Sequence, residues 1–192
     1  KYFGNLVSFH AGFLIDPTPK SLGKRLVNKK IDLNRKKSIK IFINSIKILS
    51  KYAKKYETTI LIENNVLTKK NLKHFNCNPF LMVDTKETIE IMKKTPKNVR
   101  LLLDFAHLKV SSKTLGFSKS KYIASCKKWI RAYHLSDNNS VNDSNSRLNS
   151  KSWFWKYLSL QNVDYLSAEI KTTNLKVIKS QLNLIKRKII NV

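Results

Sequence analysis

The chain of 192 residues is long enough for one domain with a sizeable core, and 38 Lys and Arg against 12 Asp and Glu give it a formal net charge of +26. No run of about 18 apolar residues is present, which argues against a membrane span, and Lys1-Tyr-Phe-Gly-Asn5 lacks the charged-then-apolar pattern of a leader. The excess charge is nearly all lysine, 32 residues against 6 arginines, spread through every expected helix. With Ile and Asn also abundant, that mixture reads as A/T-rich coding and a solvated surface, not a nucleic-acid groove.

Leu6-Val-Ser-Phe-His10 reads as a strand ending in a histidine. Ala11 to Asn34 then reads as a long loop broken by Pro17, Pro19 and Gly23. Ile39, Phe42, Ile43, Ile46, Leu49 and Ala53 recur at helical steps and predict an amphipathic helix. Thr59-Ile-Leu-Ile-Glu63 is β-branched and apolar, as a buried parallel strand should be. Cys77 and Cys126 lack metal-type spacing and read as reduced thiols of a cytoplasmic protein. Asp84 and Glu87 have capping-box spacing ahead of a helix carrying Ile89 and Met92, which Pro96 ends. Val99–Asp104 is the next strand, a helix should cover about Lys119 to Trp129, and Ile130–His134 is another strand. Asp137 to Ser152 is rich in Asn, Ser and Asp and reads as a loop. Val163–Glu169 is a fifth strand, and a helix over about Asn174 to Ile190 should bury Leu175, Ile178, Leu182 and Ile185.

Four of these strand-like runs end in Glu63, Asp104, His134 and Glu169, which stand 41, 30 and 35 residues apart. Such spacing matches one strand–helix unit of a parallel barrel, about 30–40 residues, whose strands all open their C-terminal ends onto one face. Three carboxylates and one imidazole brought together there suggest a divalent-metal site. Five strands are fewer than the eight of a closed barrel. The fold class expected is therefore α/β, a partial (β/α)₈ TIM barrel forming one domain over residues 1–192 with its N-terminal strands missing.

Phe9-His10-Ala11-Gly12, Ile62-Glu63-Asn64, Asp104-Phe-Ala-His107, His134-Leu-Ser-Asp137-Asn138 and Ala168-Glu169-Ile170 occur in that order. Together they resemble the xylose isomerase-like TIM-barrel superfamily, which holds sugar (phosphate) isomerases and epimerases and the family 2, endonuclease IV type, AP endonucleases. The resemblance implies that Glu63, Asp104, His134 and Glu169 bind one divalent ion, and that Glu63 and Glu169 also shuttle a proton. Oxygen-rich ligation favours Mn²⁺ or Mg²⁺, with Zn²⁺ or Co²⁺ as alternatives. It further implies substrate contacts at His10, Asn64, His107, Asp143 and Asn145, and a small sugar or sugar phosphate as partner. In the endonucleases His10 and His107 would correspond to metal ligands. The best match to their zinc-binding Asp-x-His pair is Asp143-Ser-Asn145, with Asn in place of His, which disfavours a three-zinc site. The function expected is sugar isomerisation or epimerisation by proton transfer next to a carbonyl. The alternatives are a phosphodiester hydrolase and a non-catalytic sugar-binding relative. Trp153 and Trp155 read as core packing before sugar stacking, His74 as surface, and Lys109 as a chance placement.

Overall fold

The computed structural model describes residues 5–14 and 34–190. Most of the loop expected between Ala11 and Asn34 lies outside the described residues. Five strands form one parallel sheet in chain order: β1 (Leu6–His10), β2 (Thr59–Glu63), β3 (Val99–Asp104), β4 (Ile130–Leu135) and β5 (Tyr165–Ala168). Helix α1 (Arg35–Lys55) joins β1 to β2, and α2 (Lys69–Phe75) and α3 (Thr85–Lys94) join β2 to β3. Helices α4 (Phe105–Leu115) and α5 (Lys119–Cys126) join β3 to β4, and α6 (Leu175–Ile190) follows β5. This is the partial (β/α) barrel that the strand–helix alternation predicts.

Alternation along the strands divides the apolar residues between two faces. Ile60, Ile62, Leu101, Leu103, Tyr133 and Leu135 join the core shared with the helices. Leu61, Leu102 and Ala132 form a separate small layer with Leu6, on the sheet's other face. Aromatic packing anchors the helical side. Phe105 stacks on Tyr133 (centroids 5.1 Å apart) and on Phe154 (4.7 Å), while Trp153 meets it edge-on at 5.7 Å. Trp153 is thus a core residue, and the Trp155 indole donates to the Asn149 carbonyl at 2.8 Å.

Several elements differ from the sequence expectation, each for a local reason. Strand β5 stops at Ala168, so Glu169 follows it, although the Glu169 N–H still donates to Leu135 O at 3.1 Å. Asp84 caps α3 by accepting from the Glu87 N–H, but the Glu87 carboxylate does not reach back to close the box. It accepts instead from the Met82 N–H at 2.7 Å and from the Arg35 guanidinium, tying α3 to the start of α1. The expected helix to Trp129 breaks after Cys126 into a 3₁₀ turn, Lys127–Trp129, and α2, carrying the half-buried His74, was not anticipated. On α6 the face expected to be buried is largely open. Leu175 is 72% exposed and Ile178 and Leu182 are also exposed, leaving Ile185 buried with Gln181, because β5 is the edge of the sheet. Leu49 on α1, beside the opposite edge, is exposed for the same reason.

Phe105 is fully buried and follows the candidate ligand Asp104 directly. Phe105→Ala should destabilise the protein by about 3–5 kcal/mol, measured as a lower denaturant midpoint with an unchanged m-value.

Candidate metal centre

Strand register assembles the site. His10 pairs directly with Glu63 across β1 and β2, and Asp104 with His134 across β3 and β4. Between β2 and β3 the partner of Glu63 is Leu102, and between β4 and β5 the partner of His134 is Ser167, so Asp104 and Glu169 each sit two residues further along. A shift of two preserves the side of the sheet on which a side chain emerges, and it follows the stagger that strand tilt imposes on a barrel. All four candidate ligands therefore face one another at the C-terminal end of the arc.

The ligand atoms of Glu63, Asp104, His134 and Glu169 all lie within 4.8 Å of one another. His134 Nδ1 stands 3.3 Å from Glu63 Oε1, 3.3 Å from Glu169 Oε1 and 3.9 Å from Asp104 Oδ2. Ligands about 2.1 Å from a shared octahedral ion stand about 3.0 Å apart when adjacent and about 4.2 Å when opposite. The measured separations fall inside that range. Glu63 Oε1, Asp104 Oδ2 and His134 Nδ1 are buried and make no aligned hydrogen bond. Close approach without alignment, at three atoms aimed at one small space, is what a divalent cation would satisfy. The donor set fits such an ion. A second group, His10, Glu63 and His107, shares the Glu63 carboxylate.

Asp104 is held from behind. Asn64, next to Glu63, accepts from the Asp104 N–H at 2.8 Å and donates to the Asp104 carbonyl at 3.2 Å, so its side chain locks β2 to β3. Asp104 also caps α4, its Oδ1 accepting from the His107 N–H at 2.7 Å and leaving Oδ2 for the site. Asn65 donates to Ala11 O, Gly12 O and Leu81 O, fixing the turn after β1. Gly12 is close-packed, since a Cβ there would lie 2.8 Å from Phe42.

His107 is buried with both ring nitrogens facing acceptors: Nδ1 lies 2.9 Å from Asn64 O and Nε2 lies 3.1 Å from Asp143 Oδ2. Burial pushes its pKa down, but Asp104, Asp143 and Glu63 outweigh that and raise it to about 10, so both nitrogens donate. Burial pushes Asp104 up to about 6 against the pull of His107. Burial also acts to raise Glu63, yet His134, His107 and His10 together hold it below its ordinary value. His134 is shifted up, since Glu63, Glu169 and Asp104 outweigh its burial.

The other candidates lie at varying depth. The His10 side chain is 56% exposed, with Nδ1 3.8 Å from Glu63 Oε2 and its ring 5.6 Å from that of His107. Asp143 is brought to the site by its contact with His107. Asn145, at a left-handed φ of 44°, accepts from the Ser136 hydroxyl instead of reaching the ligands. Sequence reasoning overlooked the role of Asp137, which organises the loop bearing Asp143. Its carboxylate accepts from Lys109 at 2.6 Å, from the Asn138 N–H and from Ser152, so Lys109 has a fixed partner. The available signal was position: Asp137 lies three residues past His134, as His107 lies three past Asp104.

No protein-family model matches the sequence, and neither does any curated protein. Solved structures do match the fold. A D-tagatose 3-epimerase-like protein is similar at a TM-score of 0.69 and 15% identity, over 96% of this chain and 61% of its own. A Rhodospirillum rubrum protein assigned as a xylose isomerase aligns at 0.58 and 18% identity, over 79% of this chain and 54% of that one. A family 2 AP endonuclease from Brucella melitensis aligns at 0.54 and 16% identity, over 81% and 56%. The chain thus has the xylose isomerase-like TIM-barrel fold, and it spans between 54% and 61% of the length of these three structures.

Asp104 holds its proton more tightly in the folded chain, at about 6, than at its ordinary 3.8. Its contribution to metal-free stability is present below about pH 4 and is lost as pH rises through about 6. A metal ligand must be deprotonated, and His134 is shifted up as well. Mn²⁺ affinity, measured by calorimetry, should therefore rise with pH and fall by more than tenfold per unit below about pH 6, where the ion must displace a proton from both Asp104 and His134.

Proposed function

We propose that the chain is a divalent-metal-dependent isomerase or epimerase acting on a sugar or sugar phosphate by proton transfer next to a carbonyl. The observation that carries this reading is the pair Glu63 and Glu169, each 3.3 Å from His134 Nδ1, beside the buried Glu63 Oε1, Asp104 Oδ2 and His134 Nδ1 that make no hydrogen bond. Glu63, Asp104, His134 and Glu169 would hold the ion, and three carboxylate donors with one imidazole favour Mn²⁺ or Mg²⁺ over Zn²⁺ or Co²⁺. A bound divalent ion supplies Lewis-acid polarisation of the sugar's carbonyl and hydroxyl oxygens.

The side chains differ in what they can reach. Glu169 is 37% exposed and is the carboxylate open to an arriving substrate, so it removes the proton from the carbon beside the carbonyl. Glu63 is buried and held ionised by the surrounding imidazoles, and it accepts or returns a proton from within the site. His10, half exposed at the rim, is the candidate contact most open to the sugar hydroxyls. Asn64 and His107 direct their polar atoms to protein partners and serve chiefly to hold Glu63 and Asp104 in place. Similarity to a D-tagatose 3-epimerase-like protein supports this reading.

One observation favours a second reading. His10, Glu63 and His107 would hold another ion sharing Glu63, as suits phosphodiester hydrolysis, only once His107 gave up a proton and its contact with Asn64 O or Asp143. The fold similarity to a family 2 AP endonuclease agrees with it.

Protein loaded with Mn²⁺ should exchange solvent deuterium into a ketose or ketose phosphate beside the carbonyl, seen by NMR together with the epimer or isomer. Glu169→Gln should lower that rate about 10²–10⁴-fold while leaving the circular dichroism spectrum unchanged. An undiminished rate in the variant would remove Glu169 as the base. Two ions per chain and incision at abasic DNA would decide for the hydrolase.

A further inference from the structure

A cavity of about 590 Å³ lies at the end of the sheet away from the metal centre. Arg100 and Arg131 line it, each the second residue of its strand, with Lys127 and Lys128 from the turn before β4 and Ser125 and Asn162 beside them. Four residues of extended chain separate Arg100 from Asp104, about 13 Å along β3. The cavity therefore shares no residue with the candidate metal site.

Its charge is not the general lysine excess of the chain. Only 6 of 38 basic residues are arginine, and two of those six line this one cavity. Base composition explains scattered lysines but not two guanidiniums from adjacent strands lining one cavity. No carboxylate is among the lining residues. The Arg100 side chain has neither a hydrogen bond nor an ion pair among the described residues. Arg131 donates from Nη1 to the Asn162 carbonyl at 2.9 Å, which fixes its plane and leaves other N–H groups free. Lys128 is steadied by the Trp129 ring, 4.5 Å from its Nζ. A second cavity of about 250 Å³ adjoins through Arg100 and Lys128 and adds Lys93 and Lys97 without adding an acid.

Planar guanidiniums with open N–H groups, one of them fixed by Asn162, match the oxygens of a tetrahedral anion, which accept paired hydrogen bonds. The volume is that of a small-molecule site, within about 300–1,000 Å³. We propose that this cavity binds the phosphate group of a small phosphorylated molecule or free phosphate, at a site distinct from the metal centre.

Titration of the 192-residue chain at constant ionic strength with inorganic phosphate and, separately, glycerol 3-phosphate tests this. Saturable binding is expected, and Arg100→Lys and Arg131→Lys, which keep the charge but lose the planar fork, should each weaken it about tenfold. Lys36→Gln, on an exposed position of α1, should leave it unchanged. Equal affinity for both probes identifies free phosphate as the ligand, and tighter glycerol 3-phosphate binding identifies a phosphomonoester. Amide shifts in the wild-type protein should centre on Arg100, Arg131 and Asn162, a reading that holds even if a variant fails to fold. Absence of saturation, equal affinity in all variants or shifts centred elsewhere would overturn the proposal. So would binding of single-stranded oligonucleotides that strengthens with length and ignores the arginine substitutions, which would mark a polyanion surface.

Discussion

The register of the parallel sheet is the constraint on which the site depends. His10 with Glu63 and Asp104 with His134 are direct cross-strand partners, and each intervening strand pair adds a shift of two residues. A slip of one residue at either junction would turn a ligand to the helical face, where Leu103 and Leu135 now pack. Helix packing beneath the strands sets the register, so the apolar core and the polar site are two consequences of one arrangement. The small layer of Leu61, Leu102 and Ala132 fills the sheet's other face just below the ligands and keeps that alignment rigid.

Electrostatics in the site runs against the character of the chain. The whole sequence is strongly basic, yet the top of the sheet gathers Glu63, Asp104, Asp143 and Glu169. Imidazoles, not lysines, hold them together. His107 is wedged between Asn64 O and Asp143 and stays cationic, and its charge opposes the burial cost of Asp104 and Glu63. Lys109 is engaged one layer out by Asp137, where it braces the β4 loop.

The edges of the sheet explain the surface. Among the described residues β1 and β5 each have one strand neighbour, and the helices beside them keep apolar positions in solvent: Ile41, Ile48 and Tyr52 on α1, and Leu175, Ile178 and Leu182 on α6. Between these edges the strands β2 to β4 are almost wholly buried, and the ligands best shielded from water come from them. Glu169, beyond the edge strand, is the most exposed of the four.

Much of this was legible in the chain itself. Runs such as Val99–Asp104 and Thr59–Glu63 announce buried parallel strands, because only strands covered on both faces are apolar throughout, and a carboxylate closing each run has to lie at a strand end. Helix spacing in α1 and the turn residues after Asp137 were equally local signals. What local pattern could not convey was anything joining residues tens of positions apart. Glu87 meets Arg35 across 52 residues and so abandons its capping box, Asn64 fastens Asp104 across 40, and Asp143 meets His107 across 36. The apolar stripe of α6 predicts burial, but whether a strand lies beneath it is a property of the sheet. Sequence therefore determined which ligand-type residues lie at or beside the strand ends and of what chemistry they are, whereas β4 runs on to Leu135 and β5 stops before Glu169. The two-residue stagger, the doubly bonded His107 and the orphaned ligand atoms were decided only by tertiary packing, because register and burial arise from contacts between elements and not within them.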